Sequence, residues 1–222
     1  MNFSPEWDQL YRDGRHLSRW PWSDLVAFVF RHARPTDGFR RVLELGCGAG
    51  ANIPLFVSLG ADYNGIEGSA AIVAALHAEF PALKERIVAG DFTRELPFPG
   101  SFDLMVDRSS LTHNTTAAIR RTLAMVFDRL RAGGKFIGID WFSAACPDAQ
   151  WGEALDSHTR ANVDRGEFAG LGAVHFSDQE HLLELLTGAG FRVEQLDHKQ
   201  IDYIFPPGTG SLGRWNFVAV KA

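Results

Sequence analysis

The residues between Arg41 and Ile53 have the types and spacing of a ligand-binding turn. Gly46, Gly48 and Gly50 let the backbone adopt unusual dihedral angles and lie directly against a ligand. The helix that follows presents free backbone N–H groups to that ligand. The apolar run before the glycines suits a strand buried on both faces of a parallel sheet: Val42, Leu43 and Leu45. This stretch therefore predicts a cofactor site at the end of a buried strand.

Two classes of cofactor use such a turn, and the glycines alone leave both open. Gly46, Gly48 and Ala51 fit the small positions of a dinucleotide-binding fingerprint. Both classes need a carboxylate at the end of the next strand to accept hydrogen bonds from ribose hydroxyls, and Glu67 ends the segment 62–67. A plain strand-to-helix turn without a ligand is a third interpretation, but three alternating glycines exceed what such a turn demands.

Two further acidic positions distinguish between the cofactor classes. Glu44 lies inside an otherwise apolar strand, where a buried carboxylate is costly unless it binds something. The second position is the acidic turn Gly90-Asp91-Phe92, which follows the third candidate strand. A fourth candidate strand, 102–106, leads into Asp107 and Arg108.

With these motifs in order, the chain resembles the class I S-adenosylmethionine-dependent methyltransferases. The resemblance is carried by Glu44 to Gly50, Glu67, Asp91-Phe92 and Phe102 to Asp107, closely over 40–140 and by pattern only over 175–222. It implies an α/β fold: a doubly wound, mostly parallel, seven-stranded Rossmann-like sheet with helices on both faces. It also implies a C-terminal antiparallel hairpin in that sheet.

The resemblance implies S-adenosyl-L-methionine as the cofactor and assigns roles around it. Glu44 would meet the cofactor's amino group directly or through water, and Glu67 would hold the ribose hydroxyls. Asp91 would accept from the adenine amino group, and Phe92 would pack against the ring. Asp107 and Arg108 would lie near the methionine end. The full expected cofactor set is Glu44, Gly46, Cys47, Gly48, Asn52, Glu67, Gly68, Asp91, Phe92, Asp107 and Arg108.

We expect one domain over 1–222, made of four segments. They are an N-terminal helical lid segment (1–39), a cofactor-binding core (40–140), a substrate-cover insert (141–175) and a C-terminal helix and hairpin (176–222). The insert shows no clean periodicity, yet its aromatic residues argue against disorder. The expected lid and substrate residues are Tyr11, Trp20, Trp22 and Trp141. The alternative for Trp20 and Trp22 is that they simply cover an edge of the sheet.

Local signals predict where helices begin and end. Serine or threonine caps are expected at Ser4, Ser23, Ser69, Thr115 or Thr116, and Ser177. Gly133-Gly134 is expected to end the helix that starts near Thr115, and a strand is expected over 135–140. Two C-terminal strands, 191–196 and 215–220, are joined by a Pro/Gly-rich connection at 206–213.

Methyl transfer needs little from a protein beyond geometry, because positioning supplies most of the rate. A general base is required only if the acceptor is a hydroxyl, a thiol or a protonated amine. We predict His113 and Asp107 as catalytic residues, because their loop leaves the carboxyl end of the fourth strand. The alternative bases are His158, His175 and Asp140.

Composition narrows the substrate and the setting. The net charge of −5 offers no basic field for nucleic acid. Asp107-Arg108-Ser109-Ser110 also departs from the Asn/Asp-Pro-Pro-aromatic motif of methyltransferases that act on base or amide nitrogens. Aromatic flanking segments suit a small, partly apolar acceptor. No histidine or cysteine spacing predicts a metal site.

The remaining expectations concern location and rival functions. No apolar run approaches the ~20 residues of a membrane span, and we see no signal peptide. Cys47 and Cys146 cannot make a disulfide framework, which favours a reducing, cytoplasmic compartment. The predicted function is S-adenosylmethionine-dependent methyl transfer to an O, N or S atom of a small molecule. The rivals are an NAD(P)-dependent oxidoreductase and a non-catalytic S-adenosylmethionine-binding protein, and the oligomeric state stays open.

Overall fold

The computed structural model describes residues 5–205 and 210–222. Two helices come first, α1 (Pro5–Arg12) and α2 (Ser23–His32). The core follows as β1 (Arg41–Leu45), α3 (Ile53–Ser58), β2 (Asp62–Glu67), α4 (Ala70–Glu79), β3 (Ile87–Ala89), β4 (Phe102–Arg108), α5 (Thr116–Arg129) and β5 (Leu130–Phe142). The chain ends with β6 (Glu153–Ala154), β7 (Thr159–Ala161), β8 (Val174–His175), α6 (Gln179–Gly188), β9 (Arg192–Asp202) and β10 (Ser211–Val220).

Seven strands form one sheet in the order β3-β2-β1-β4-β5-β10-β9. The first five run parallel, and β10 pairs antiparallel with both β5 and β9. The predicted fold class and C-terminal hairpin are therefore confirmed. Val42 of β1 lies opposite Tyr63 of β2 on one side and Leu104 of β4 on the other. The strand order reverses at β1, so a crevice opens beyond the carboxyl ends of β1 and β4.

Alternate residues of the strands bury two separate cores. Val42 packs on the face covered by α2, α3 and α4, whereas Leu43 and Leu45 pack on the face covered by α5 and α6. This period of two is what a strand buried on both faces requires. Burying each such side chain stabilises the fold by about 1.5–3 kcal/mol before entropy is counted. The two helical layers thus fix the strand ends that carry the site.

The helix boundaries confirm part of the local prediction. Ser69 caps α4 by accepting from Ile72 N at 3.3 Å, and Thr115 caps α5 by accepting from Ala118 N at 3.4 Å. Ser23 is wrong as a cap, because it is the first residue of α2; the cap position is Trp22, whose own side chain makes no capping hydrogen bond. At α6 the cap is Asp178 rather than Ser177, and its Oδ1 accepts from His181 N at 2.8 Å.

Four other local expectations have different outcomes. Helix α5 ends at Arg129, before Gly133-Gly134, because β5 already begins at Leu130. The expected strand 135–140 is therefore the middle of a longer strand. The predicted cap at Ser4 and the 206–209 part of the Pro/Gly-rich connection lie outside the described residues.

The insert over 141–175 is ordered. Strands β6, β7 and β8 form a small antiparallel sheet of their own. A third apolar core lies beneath it and joins Leu10 of α1 to Leu212 of β10; the insert and its flanks contribute Phe142, Cys146, Val163, Phe168, Leu171, Val174 and Phe176. The N-terminal segment and the insert are consequently packed against each other as well as against the sheet.

Trp141 is not a lid residue, and that expectation was wrong. Its side chain is fully buried with Phe136 and Phe217 on the α5/α6 face of the sheet. Simple alternation would put Trp141 with Ile137 and Ile139 on the opposite face. The pairing of β5 with β10 shifts register at this point, and Asp140 has φ 58°, so an irregularity in β5 turns Trp141 over.

The indole of Trp141 donates to Asp107 Oδ2 at 2.6 Å, which generates a stability prediction. Trp141→Phe leaves one oxygen of a buried carboxylate unpaired, and such a loss costs about 1–3 kcal/mol. Burial raises the pKa of Asp107 to about 7, above its usual ~3.9, so its protonated form dominates below that pH. The penalty on the free energy of unfolding should therefore be full near pH 8 and smaller near pH 6.

Trp215→Phe is the matched control for that experiment. Its indole donates to the uncharged carbonyl of Ser177 at 2.8 Å, so removing it leaves no buried charge unpaired. Chemical denaturation of both variants at pH 6 and pH 8 measures the difference. Equal penalties for Trp141→Phe at the two pH values would contradict a role for the Asp107 charge.

Candidate active site

A cavity of about 800 Å³ opens beyond the carboxyl ends of β1, β2 and β4. It is walled by the glycine turn, the N-terminal segment and the insert. Small-molecule sites typically span about 300–1,000 Å³, so this volume has room for a cofactor and a small second ligand. Most of the predicted site residues line it: Tyr11, Trp22, Glu44, Gly46, Cys47, Gly48, Asn52, Glu67, Gly68, Asp91, Phe92, Arg108 and His113.

The glycine turn needs glycine for two reasons. Gly46 has φ 61°, and a side chain there would come within 2.2 Å of Ser110 Oγ. Gly48 has φ 51°, and its N–H donates to Glu67 Oε2 at 2.9 Å. The turn after β1 is thereby held against the end of β2, with its backbone exposed to the cavity rather than covered by side chains.

Glu67 is only 3% exposed, and backbone N–H groups hold both of its oxygens. Oε2 accepts from Gly48 N, and Oε1 accepts from Ser69 N at 3.0 Å. Burial raises the pKa of Glu67, while these donors act in the opposite direction. Each carboxylate oxygen has a second lone pair, so Glu67 can still accept from a ligand hydroxyl on the cavity side.

Glu44 is buried and is held by two side chains. Its Oε1 accepts from Asn52 Nδ2 at 2.7 Å, and its Oε2 accepts from the Tyr63 hydroxyl at 2.6 Å. Burial raises the pKa of Glu44 to about 7. Asn52 Oδ1 in turn accepts from Trp22 N at 3.3 Å, which ties the strand, the start of α3 and the N-terminal segment together.

Asp91 presents an oxygen without a hydrogen bond. Its Oδ1 accepts from Thr93 N at 2.9 Å and from Thr93 Oγ1 at 2.6 Å. Its Oδ2 is buried and, within 5–205 and 210–222, accepts no hydrogen bond, although Arg94 Nε lies 3.3 Å away. Because Asp91 lines the cavity, this oxygen is an acceptor available to a ligand amino group.

Arg108 brings a positive charge to the cavity wall. Arg108 donates from Nε to Asp140 Oδ2 at 3.0 Å, and the face of Trp22 lies 3.6 Å from its guanidinium carbon. Ser109 and Asp140 both have left-handed backbones, with φ 61° and 58°. Non-glycine residues adopt this conformation only when their surroundings impose it, and it clusters at functional sites.

Asp107 is not at the cavity, so its expected contact with the cofactor was wrong. Its carboxylate is fully buried behind the site, where it accepts from Leu111 N at 3.1 Å and from Trp141. These bonds fix the start of the loop that follows β4. Asp107 is therefore placed to position Ser110 and His113 and does not reach a ligand.

His113 lies in the cavity wall between two aromatic side chains. Its ring meets Trp7 edge-on at 4.7 Å and Phe142 at 5.2 Å, measured between ring centroids. Burial lowers the pKa of His113 to about 3, so the imidazole is neutral near pH 7. Its Nδ1 has no hydrogen-bond partner among the residues that the structure describes.

The N-terminal segment brings only part of its expected lid to the cavity. Tyr11 and Trp22 line it, but Trp20 is 82% exposed and lies outside it, so Trp20 was wrong as a lid residue. Burial raises the pKa of Tyr11, and the nearby Glu67 adds to that effect. Helix α1 is fixed to the core through a hydrogen bond from Ser69 Oγ to Asp8.

Sequence reasoning missed several residues that line the cavity. Trp7, His16, Phe142, Phe168 and Arg214 line it, but they come from four separate parts of the chain. The aromatic richness of the insert was the available signal for Phe168. Nothing local marks Arg214, which reaches the site because β10 lies beside β5.

Comparison with known proteins finds a methyltransferase domain in part of the chain. Residues 42–134 match the family model described as a methyltransferase domain. Those residues form a methyltransferase domain, in agreement with the predicted resemblance to the class I S-adenosylmethionine-dependent methyltransferases. The cofactor of this methyltransferase is accordingly S-adenosyl-L-methionine, as predicted, and the dinucleotide alternative is not supported. No curated protein matches the chain significantly.

Solved structures show that the fold is shared at low sequence identity. Burkholderia thailandensis 1,6-didemethyltoxoflavin-N1-methyltransferase is 22% identical, with a TM-score of 0.69 over 98% of this chain and 86% of its own. That structure contains 1,6-didemethyltoxoflavin and S-adenosylhomocysteine. A methyltransferase from Clostridium acetobutylicum is 15% identical, with a TM-score of 0.63 over 98% and 97% of the two chains. One from Methanosarcina mazei is 19% identical, with a TM-score of 0.62 over 84% and 96%.

The cavity of this methyltransferase fits that cofactor at three points. Glu67 and Asp91 offer acceptors for ribose hydroxyls and an adenine amino group, and Gly46 leaves its backbone open to a ligand. Glu44 would act on the amino group partly through Asn52, because both carboxylate oxygens already have protein partners.

Within the described ranges, no group of three or more acidic, histidine or cysteine residues could hold a metal ion. No helix there is long and apolar enough to cross a membrane.

The Asp91 oxygen that accepts no hydrogen bond from the described residues generates a prediction about cofactor affinity. Asp91→Asn keeps an oxygen for Thr93 but turns an amide N–H₂ toward the cavity, so it removes the acceptor. We expect S-adenosylhomocysteine to bind about 10-fold or more weakly, the order of one lost charged hydrogen bond. Calorimetric titration measures this affinity. Glu95→Gln, the same change at an exposed neighbour, should leave the affinity unchanged; unchanged affinity in Asp91→Asn would remove Asp91 from the cofactor site.

Proposed function

We propose that this methyltransferase transfers a methyl group to an O, N or S atom of a small molecule. The observation that supports the proposal is the chemical division of the cavity. Glu44, Glu67 and Asp91 lie at the glycine-turn end, where they suit the amino and hydroxyl groups of the cofactor. The other end is partly aromatic, and it lies beneath the insert. A covered space of this size suits a small acceptor better than a polymer.

The cofactor supplies an electrophilic methyl group when it is bound. The residues of this chain then have three tasks: to hold the cofactor, to orient the acceptor and to exclude water. The carboxylates at the strand ends serve the first task, and the insert together with Trp7 and Trp22 serves the other two. Positioning of this kind supplies most of the rate of a two-reactant step.

His113 is proposed to orient the acceptor and receive its proton partway. With a pKa of about 3, its imidazole is a weak base near pH 7, but it is reliably neutral. The Ala173 carbonyl favours a proton on the ring, and Nδ1 is the nitrogen without a partner among the described residues. We infer that Nδ1 accepts a hydrogen bond from the O–H, N–H or S–H of the acceptor.

A cytoplasmic setting also remains our proposal, in keeping with free, buried Cys47 and Cys146.

The function is tested by offering acceptors of different chemistry. Hydroxyl, amine and thiol compounds are incubated with S-adenosylmethionine, and the production of S-adenosylhomocysteine is measured. Turnover with at least one small molecule is expected. If S-adenosylhomocysteine binds but no acceptor in any class is methylated, the chain is better described as a non-catalytic cofactor-binding protein.

His113→Ala is predicted to lower turnover by about ten- to a hundredfold, below the ~10²–10⁴ of a full general base. Cofactor affinity should change by less than about twofold, because the imidazole lies on the acceptor side. Steady-state kinetics and calorimetry measure the two quantities. His77→Ala, on α4 outside the cavity, is the control. Weakened cofactor binding with unchanged turnover at saturation would place His113 in the cofactor site.

The N-terminal segment is predicted to become more protected when the cofactor site is filled. Arg12, Arg15 and Arg19 are exposed trypsin sites close to the cavity wall. Bound S-adenosylhomocysteine should slow cleavage at these residues, because contacts with the ligand offset the entropy of ordering them. Trypsin digestion followed by mass spectrometry measures the rates. Equal rates with and without ligand would show that the segment is fixed structure.

Tryptophan fluorescence offers a second measurement of the predicted ordering of this segment. Trp22 lines the cavity and contacts Arg108, whereas Trp20 is exposed and lies outside the cavity. We expect ligand binding to change the fluorescence of the wild type and of Trp20→Phe. The change should be reduced in Trp22→Phe.

A further inference from the structure

Arg214 of β10 brings a positive charge into the part of the cavity lined by Phe142 and Phe168. Its side chain is only 11% exposed. The guanidinium carbon lies 4.7 Å from the ring centroid of Phe142 and 5.1 Å from that of Phe168. These two rings touch each other, with centroids 4.5 Å apart, and form a platform under the guanidinium. A packed surface therefore holds the cation in one place.

The hydrogen-bonding capacity of this guanidinium is largely unused. Nη1 reaches the Gly213 carbonyl at 3.4 Å and Cys146 Sγ at 3.9 Å. Nη2 lies 3.9 Å from Glu167 Oε1, at the limit of an ion pair. Bonds from an arginine to a carboxylate are normally about 2.7–2.9 Å and often paired. Among the described residues, Arg214 makes no bond of that kind.

Arg108, which lines the same cavity, differs from Arg214 because it forms a close ion pair within the protein. Its Nε and its Nη2 both lie 3.0 Å from Asp140 Oδ2, and Trp22 covers its face. Asp140 therefore neutralises Arg108 within the protein. Glu167 does much less for Arg214, because its side chain is 53% exposed and holds the guanidinium only at long range. The cavity thus contains one paired arginine and one arginine whose charge is poorly matched.

We propose that Arg214 binds a carboxylate on the methyl acceptor, so that the acceptors of this methyltransferase are small aromatic acids. This inference rests on the proposed function. A planar carboxylate matches the fork of the guanidinium, and the bond is strong where water is excluded. The aromatic side chains around Arg214 suit the flat, apolar remainder of such a molecule: Trp7, Phe142 and Phe168.

The surrounding charges favour a single negative charge. Glu6 and Glu167 also line the cavity, as does His16. A phosphate, with its nearly doubled charge, would meet Glu167 beside Arg214, and repulsion would offset part of the attraction. A monocarboxylate can displace the weak Glu167 contact and leave that exposed side chain in water. The site therefore matches an acid with one charge better than a phosphate ester.

Matched pairs of ligands test this specificity without requiring turnover. Hydroxybenzoates, aminobenzoates and mercaptobenzoates are compared with their primary amides, which have nearly the same shape but no charge. Calorimetry measures the binding of each compound to the full chain saturated with S-adenosylhomocysteine. We expect at least one acid to bind about tenfold or more tightly than its amide, the order of one charge-assisted bond.

Variants show which residue is responsible. Arg214→Gln should abolish the preference for the acid, and Arg214→Lys should keep only part of it, because a lysine gives a point charge without the fork. Arg165→Gln is the matched control, since Arg165 is 67% exposed and lies outside the cavity. Glu167→Gln should bind acids more tightly and leave amides unchanged, which keeps the test decisive if Arg214→Gln fails to fold.

The results separate the inference from the proposed function. Acid preference that disappears in Arg214→Gln, or rises in Glu167→Gln, supports the inference even if no compound is methylated, and silence in methylation would then count against the proposed function alone. Equal binding of acids and amides overturns the inference. A preference that survives unchanged in folded Arg214→Gln also overturns it, as does the failure of every acid to bind.

Discussion

Buried carboxylates at the ends of parallel strands impose the main constraint on this structure. Glu44 lies one residue before the end of β1, and Asp107 lies opposite Leu45 in the neighbouring strand β4. A carboxylate taken out of water costs several kcal/mol unless nearby groups bind it. Here the partners are recruited from distant segments: Asn52 and Tyr63 for Glu44, and Leu111 N and Trp141 for Asp107. Satisfying these acids therefore fixes the loops that shape the cavity.

The connections from these acids reach both walls of the site. Through Asn52, Glu44 is linked to the backbone of Trp22, which in turn covers Arg108. Asp107 fixes the loop that carries Ser110 and His113, and Trp141 anchors it from beneath. A local change at either acid should consequently be felt on the acceptor side as well as on the cofactor side. Glu67 and Asp91 face the cavity. They can bind the ligand, because Glu44 and Asp107 make the contacts that fix the loops.

The irregularity near Asp140 lets one strand serve two purposes. The left-handed backbone of Asp140 turns its carboxylate toward Arg108, and Asn216 Oδ1 accepts its N–H at 2.8 Å. The same turn puts Trp141 into the core beneath Asp107. Next to it, β10 supplies Arg214 to the far end of the cavity. The antiparallel pair β5/β10 thus contributes the side proposed for the acceptor, while β1, β2 and β4 contribute the side proposed for the cofactor.

The sequence by itself determined most of the cavity wall around the glycine turn. Its residues sit in short segments whose local pattern reports both strand and turn, so residue type and spacing are enough to assign Gly46, Glu67 and Asp91 to strand ends. The order of these segments also specifies the sheet, because short parallel connections leave few topologies.

Most residues of the proposed acceptor side could not be predicted in this way. Trp7, Phe168 and Arg214 come from an N-terminal helix, an insert and an edge hairpin, and only packing brings them together. Trp20 and Trp141 show why: both are tryptophans in flanking segments, but one is exposed and the other is turned into the core by an irregular strand. Residue type and spacing indicate the hydrophobic periodicity of a segment and its local backbone geometry. Register shifts and long-range packing depend instead on contacts between segments far apart in the chain.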